Sequence, residues 1–157
     1  MDDRTFRKAM GKFATGITVI TTEVENKIHG MTANAFMSVS LSPKLVLVSV
    51  SEKAHMHSQL KKAGTYAVSV LGADQQEMSM LFAGQIKGDR DIHFERFNEM
   101  PVIKGALAVL TCNKADEHRA GDHTLFIGEV TNLRVSEGEP LLYFQGRYRR
   151  LAAAAED

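Results

Sequence analysis

The chain has 157 residues, 19 lysines and arginines against 19 aspartates and glutamates, 44% hydrophobic residues and 24% charged ones. That length suits one domain with a real core, built without a structural metal or disulfide. Zero formal charge gives no general attraction to nucleic acid or an anionic membrane, so any anion must be met by a local arrangement. Cys112 is the only cysteine, which excludes an intrachain disulfide. The opening Met1-Asp2-Asp3 is acidic rather than a basic then apolar leader, and no apolar run is long enough for a bilayer. A cytoplasmic protein with no nucleic-acid or membrane partner is the expectation.

Asp2 or Asp3 caps a first helix whose apolar face carries Phe6, Ala9, Met10 and Phe13, with Gly16 as its stop. Ile17 to Thr22 is rich in β-branched residues and reads as a strand, followed by a turn at Glu25-Asn26-Lys27. Ile28 to Leu41 has mixed polarity. Leu45 to Val50 is apolar on both faces and reads as a central strand. Ser51 caps a helix over 52–63 that ends at Gly64, and Tyr66 to Leu71 is the next strand. Asp74 with Glu77 is a capping pattern for a third helix bearing Met78, Leu81 and Phe82.

Residues 84–98 read as charged and irregular, with Phe94 and Phe97 as anchors and a flap or a plain surface loop as the alternatives. Ala106 to Cys112 is a strand, 115–122 a polar loop, and Thr124 to Leu133 the longest alternating strand. Glu137 to Pro140 turns the chain into a last strand, Leu141 to Phe144, from which Gly146 to Arg150 trails off. Residues 152–157 are expected to fray, leaving a single domain over 1–151. The count is about seven strands at short spacing with about three helices. That predicts a mainly β fold, an antiparallel barrel closed or nearly so.

Several sites are missing from the sequence. There is no Gly-x-Gly-x-x-Gly, no Walker-type lysine loop and no Gly-x-Ser-x-Gly elbow. His55 and His57 are two apart, which on a helix sets them on different faces, and no metal site is expected.

Two stretches carry binding chemistry. Thr32-Ala33-Asn34, followed by Ser38-Val39-Ser40, sets small residues, amides and hydroxyls beside a strand. Small residues let a backbone approach a flat ring closely; the same residues also suit a plain polar rim. Ser49, Ser51 and Lys53 lie where a strand meets a helix N-terminus, a place that suits a phosphate. Glu52 there opposes an anion, and a simple cap role for Ser51 is the alternative.

Phe13-Ala-Thr-Gly-Ile-Thr-Val-Ile-Thr-Thr22 and Gly30-Met-Thr-Ala-Asn-Ala-Phe-Met-Ser-Val-Ser-Leu41 resemble the short-chain flavin reductases. So do Gly121-Asp-His-Thr-Leu-Phe-Ile-Gly-Glu-Val130 and Pro140-Leu-Leu-Tyr-Phe-Gln-Gly-Arg-Tyr-Arg149. The resemblance implies an FMN-binding split barrel, a homodimer, and a reductase that uses NADH or NADPH to reduce FMN or FAD. It implies that reduced flavin passes to a partner monooxygenase. It places Thr32, Ala33, Asn34, Ser38, Val39 and Ser40 along the flavin, Ser51 and Lys53 at its phosphate, and Phe82 and Ala83 on a loop nearby. His123 and Gly146–Arg149 fall where the nicotinamide cofactor is met.

Hydride transfer asks for orientation and exclusion of water more than for acid–base help. His123 can orient the nicotinamide or screen developing charge, and is the candidate catalytic residue; a loop histidine paired with Asp122 is the alternative. Tyr148 can stack on a ring while Arg147 meets a pyrophosphate. A passive flavin- or haem-binding barrel, and a barrel that binds neither, remain the other readings.

Overall fold

The structure is a computed structural model describing residues 1–87, 92 and 94–153. The chain opens with α1 (Asp3–Met10), β1 (Thr15–Gly16), β2 (Thr18–Val24), β3 (Lys27–Ala33), β4 (Phe36–Leu41) and β5 (Lys44–Ser51). It continues through α2 (His55–Lys62), β6 (Thr65–Val70), α3 (Gln76–Phe82), β7 (Phe94–Phe97) and β8 (Met100–Ile103). It ends with β9 (Ala108–Ala120), β10 (His123–Val135), β11 (Leu142–Phe144) and β12 (Arg147–Arg149). Seven strands make one antiparallel sheet in the order β3-β2-β6-β9-β10-β5-β4, with β1-β11-β12 and β7-β8 as small sheets beside it. The fold is mainly β and antiparallel, with three helices among the described residues.

The two edge strands of the large sheet, β3 and β4, are consecutive and joined only by Asn34-Ala35. That short link brings the edges together without pairing them, so the barrel is split rather than closed. Helix α2 packs against β2, β3 and β5, and its Met56 and Leu60 enter the core beside Ile20, Val48, Val68 and Phe126. Such burial removes a large apolar area from water, at roughly 25 cal/mol per Å². Along β5, Val46, Val48 and Val50 are buried, while Leu47, Ser49 and Ser51 are half-buried on the other face. That second face belongs to the site.

Several boundaries differ from the sequence expectation, each for a local reason. Asp2 does cap α1, accepting from the Thr5 N–H at 2.8 Å, but the helix ends at Met10, and Gly16 instead pairs with Leu142. The expected core face of α1 is uncovered, with Phe6 54%, Met10 56% and Phe13 79% exposed. Ser51 stays extended because it is paired with His123, so α2 starts only after Ala54. Asp74 likewise does not cap α3, whose N-cap is Gln75.

The expected loop at 115–122 is mostly strand. Its polar residues pair with β10 up to Ala120, and the turn tightens at Gly121, φ 63°. Here β9 has run past β6 and is an edge strand laddered to β10 alone, and an edge with solvent on its face needs no apolar alternation, so its sequence reads as loop. Within 84–98, Phe94–Phe97 pairs with β8; residues 88–91 and 93 lie outside the described residues, as do 154–157 of the expected frayed tail. Residues 147–149 do not trail off. Gln145 and Gly146, with φ of 52° and 75°, reverse the chain so that β12 pairs back on β11.

Candidate active site

A cavity of about 770 Å³ opens between α1 and the split edge of the barrel. Phe13, Phe36 and Leu47 give it apolar walls, and Asn34 and Ser49 add polar groups. A mostly apolar cleft with a few placed polar groups is the form of a small-molecule site. The Ser49 N–H donates to the Ala35 carbonyl at 3.0 Å, which fixes the Asn34-Ala35 link on β5. Thr15 also lines the cavity. Its hydroxyl oxygen is buried and has no hydrogen-bond partner among the described residues. A buried hydroxyl left unpaired is costly, and the polar edge of a ring ligand would relieve it.

The wall continues beyond the cavity. Leu47, Ser49 and Ser51 alternate onto one face of β5, and Ser51 lies directly opposite His123 in the β5–β10 register. Directly opposed residues send their side chains to the same face, so His123 shares it. Lys53 follows in an exposed turn, its N–H donating to the Ser51 hydroxyl at 3.3 Å.

The β9–β10 turn is tied to this end of the wall. The Glu52 N–H donates to the Asp122 carbonyl at 2.9 Å, and the Glu52 carboxylate meets Arg119 at 2.8 Å. The anion-opposing carboxylate expected at Glu52 is therefore paired with a cation. His123 Nδ1 is 2.8 Å from Asp122 Oδ1. That hydrogen bond, then the imidazole's charge, holds the Asp122 carboxyl below its ordinary value.

A second, smaller pocket of about 160 Å³ lies at the other end. Of the expected residues, Thr32, Asn34, Ala83 and Tyr148 line it, joined by Ser79, Gln85 and Tyr143. Asn34 and Tyr143 line both cavities.

The remaining expected residues lie elsewhere. The Ala33 side chain is buried in the core, its carbonyl accepts from the Thr18 hydroxyl at 2.7 Å, and it lines neither cavity. Ser38, Val39 and Ser40 continue along edge strand β4, past an irregularity in the pairing, and line neither cavity. Phe82 also lines neither: it packs against Gly30 and lies 5.9 Å from the Phe94 ring. Arg147 is exposed on β12. His123 and Tyr148 are not brought into one pocket.

Thr15, Ser79 and Tyr143 are additions that the sequence reading missed as site residues. Tyr143 and Thr15 lay inside motifs already singled out; Ser79 carries no local signal. His55 meets His29 at 3.1 Å and His57 meets Thr124 at 2.8 Å, so the two act separately. Among the described residues no cluster of three or more His, Cys, Asp or Glu could hold a metal.

The fold and site together define a small split barrel with an apolar cavity along its split edge, the Ser51–Lys53 turn at one end of the wall and a second pocket at the other. The chain belongs to the flavin reductase like domain family, which matches residues 10–152. It is 44% identical over 154 residues to an NADH-dependent flavin reductase of a Rhodococcus species, across 96% of this chain and 88% of that protein. It is 42% identical over 147 residues to the reductase component of 4-hydroxyphenylacetate 3-monooxygenase of Thermus thermophilus, across 93% of this chain and 95% of that one. Among solved structures, the flavin reductase PheA2 in its native state superposes with a TM-score of 0.95 at 58% identity, covering 97% of this chain and 99% of that one.

Proposed function

We propose that this chain is a flavin reductase that passes a hydride from a nicotinamide dinucleotide to FMN or FAD. The observation that carries the reading is the continuous wall running from the apolar cavity, with its unpaired Thr15 hydroxyl, through Ser49 to Ser51, His123 and Lys53. The similar Rhodococcus protein is named as NADH-dependent, so NADH is the donor this reading takes first, with NADPH as the alternative.

The residues present fit a flavin. Phe13, Phe36 and Leu47 keep water from a bound ring, and Asn34 and the Thr15 hydroxyl offer partners to its polar edge. Ser51 and Lys53 are assigned to the phosphate, with the Ser38–Ser40 edge beside the ring's open side. When bound, the flavin supplies the hydride-accepting ring and the nicotinamide dinucleotide the hydride. His123, oriented by Asp122, and Tyr148 with Arg147 are assigned to the dinucleotide from the two ends of the site. What these residues supply is orientation, which is where hydride transfer gains most.

The assembly is part of the same reading. Phe6 of α1, Phe13 just beyond it, and Met37, Val39 and Leu41 on the edge strand β4 are exposed large hydrophobics. An uncovered apolar face beside an open strand edge suits a second copy of the chain. A homodimer, a single domain over 1–151 and a monooxygenase that receives reduced flavin complete the proposal. The Thermus relative, named as a monooxygenase's reductase component, supports the last point. A cytoplasmic location goes with the lone, buried Cys112, which needs no oxidising compartment.

Steady-state NADH oxidation by purified protein, with and without added FMN or FAD, tests the reading. Flavin-dependent oxidation is expected. Flavin binding without NADH oxidation would replace it with the passive binder, and neither would remove flavin altogether.

A further inference from the structure

Resting on that reading of the site, we infer that Ser79 is a positioning residue: it fixes the Tyr148 ring, and through it Tyr143, at the boundary where the two cavities meet. Ser79 is fully buried under the small pocket on α3. Its hydroxyl oxygen stands 2.9 Å from the Tyr148 hydroxyl. Tyr148 and Tyr143 are cross-strand partners in β11–β12, their rings edge to face with centroids 5.4 Å apart. Tyr143 then lines both cavities. The chain of contact runs from α3 to the shared wall.

Two features make Ser79 a fixed point. The Thr32 hydroxyl donates to the Ser79 carbonyl at 2.7 Å, tying α3 to β3. A Cβ on Gly30 of β3 would stand 2.5 Å from the Phe82 ring, so α3 is already pressed against that strand. The other end has few polar ties. Strand β12 is three residues long, forms the edge of its sheet, and follows a turn with two positive φ angles. Besides the β11 ladder and the packing of Tyr148 against the core cluster of Ile17, Leu71 and Leu141, its hydrogen-bond ties among the described residues are the Ser79 contact and, just past its end, an exposed one from Arg150 to the Ala73 carbonyl at 3.2 Å. The Tyr148 hydroxyl is therefore committed to Ser79, and the ring is what Tyr148 offers a ligand.

A double-mutant cycle of Ser79→Ala and Tyr148→Phe, read by anaerobic single-turnover flavin reduction at saturating NADH, tests this. Each single variant is expected to slow reduction about tenfold, given that a misplacement near 1 Å can cost about a hundredfold. The double variant should be no slower than either single, because both remove one tie. Flavin affinity should change far less than the reduction rate, which a general loss of structure would not allow. Multiplying effects would show that the Tyr148 hydroxyl acts on the ligand itself and would overturn the proposal, as would wild-type rates in both variants. Tyr148→Phe removes one atom from a partly exposed ring and carries the test alone should Ser79→Ala not fold. Ala35→Trp, which projects an indole into the large cavity, separates the two layers. A wild-type rate there beside a non-additive cycle would discard the cavity assignment and keep the Ser79–Tyr148 pair.

Discussion

Ser51 and His123 stand directly opposite one another in the antiparallel register of β5 and β10, on the face that carries Leu47 and Ser49 into the large cavity. Because the turn after β5 is bonded to the turn before β10 through Glu52 and Asp122, the two residues move as one unit. This end of the site is a built corner in which Arg119 answers the only carboxylate of the β5–α2 turn.

Lys53→Ala should weaken FMN more than riboflavin, since only FMN carries the phosphate. The expected loss is about two- to fivefold, because exposed charge pairs contribute roughly 0.2–1 kcal/mol. Arg119→Ala should act in the same direction by leaving the Glu52 carboxylate unanswered. Fluorescence titration of both ligands checks this. Equal losses for FMN and riboflavin would mean that the turn acts through structure and not through charge.

His123→Ala should lower the rate of flavin reduction by NADH about tenfold or more, given how steeply such reactions depend on placement. Flavin affinity and reduction by dithionite should be unchanged, since neither needs the dinucleotide. Stopped-flow absorbance measures all three. If His123 serves only to hold Asp122, the variant will lose some stability and keep its rate, leaving Tyr148 as the dinucleotide contact.

Burial first, then the charge of His55 on α2, with Lys27 on β3 and Lys62 on α2, holds His29 below the ordinary histidine value. The folded chain then binds fewer protons at this site than the unfolded one. The stability this gives is complete above about pH 6.5 and is lost as the pH falls toward the lowered folded value. The melting temperature should decline from pH 7.5 to 5.5, and His29→Gln should flatten that decline. Asp122, Glu23 and Glu117, all held below ordinary carboxylate values, titrate under this window. Parallel profiles for the two proteins would show that His29 is not responsible.

The sequence spoke clearly where side-chain pattern and backbone agreed. The β-branched run into β2, the Glu25-Asn26 turn with both φ positive, and the alternation of β10 were all legible. It misled where tertiary pairing overrode local signals. Ser51 looks like a cap but is held extended by His123, and the polar residues of β9 look like loop but are laddered to β10. The site divided in the same way. Asn34, Ser49, Ala83 and Tyr148 stood out by residue type and motif, and all line a cavity. Thr15 sat in a quoted motif without standing out in it, and Ser79 had no motif at all, because their roles come from what lies across the fold: one hydroxyl is buried without a partner, and the other meets a tyrosine 69 residues away.

The central claim is that a flavin ring occupies the cavity between α1 and β3–β5 and is reduced there by NADH. The most direct measurement is anaerobic stopped-flow bleaching of the flavin band in wild type and in Ala35→Trp, whose side chain would project into that cavity and obstruct a ring there while leaving the Ser49 to Ala35 backbone bond in place. NADH is expected to bleach the wild type rapidly, and this placement of the ring has a second consequence. It predicts a folded variant with an unchanged melting temperature that binds and reduces flavin at least about tenfold less well, a loss in keeping with a ring displaced from its productive geometry. Wild-type flavin affinity and reduction rate in folded Ala35→Trp, or no bleaching by NADH in the wild type, would contradict it.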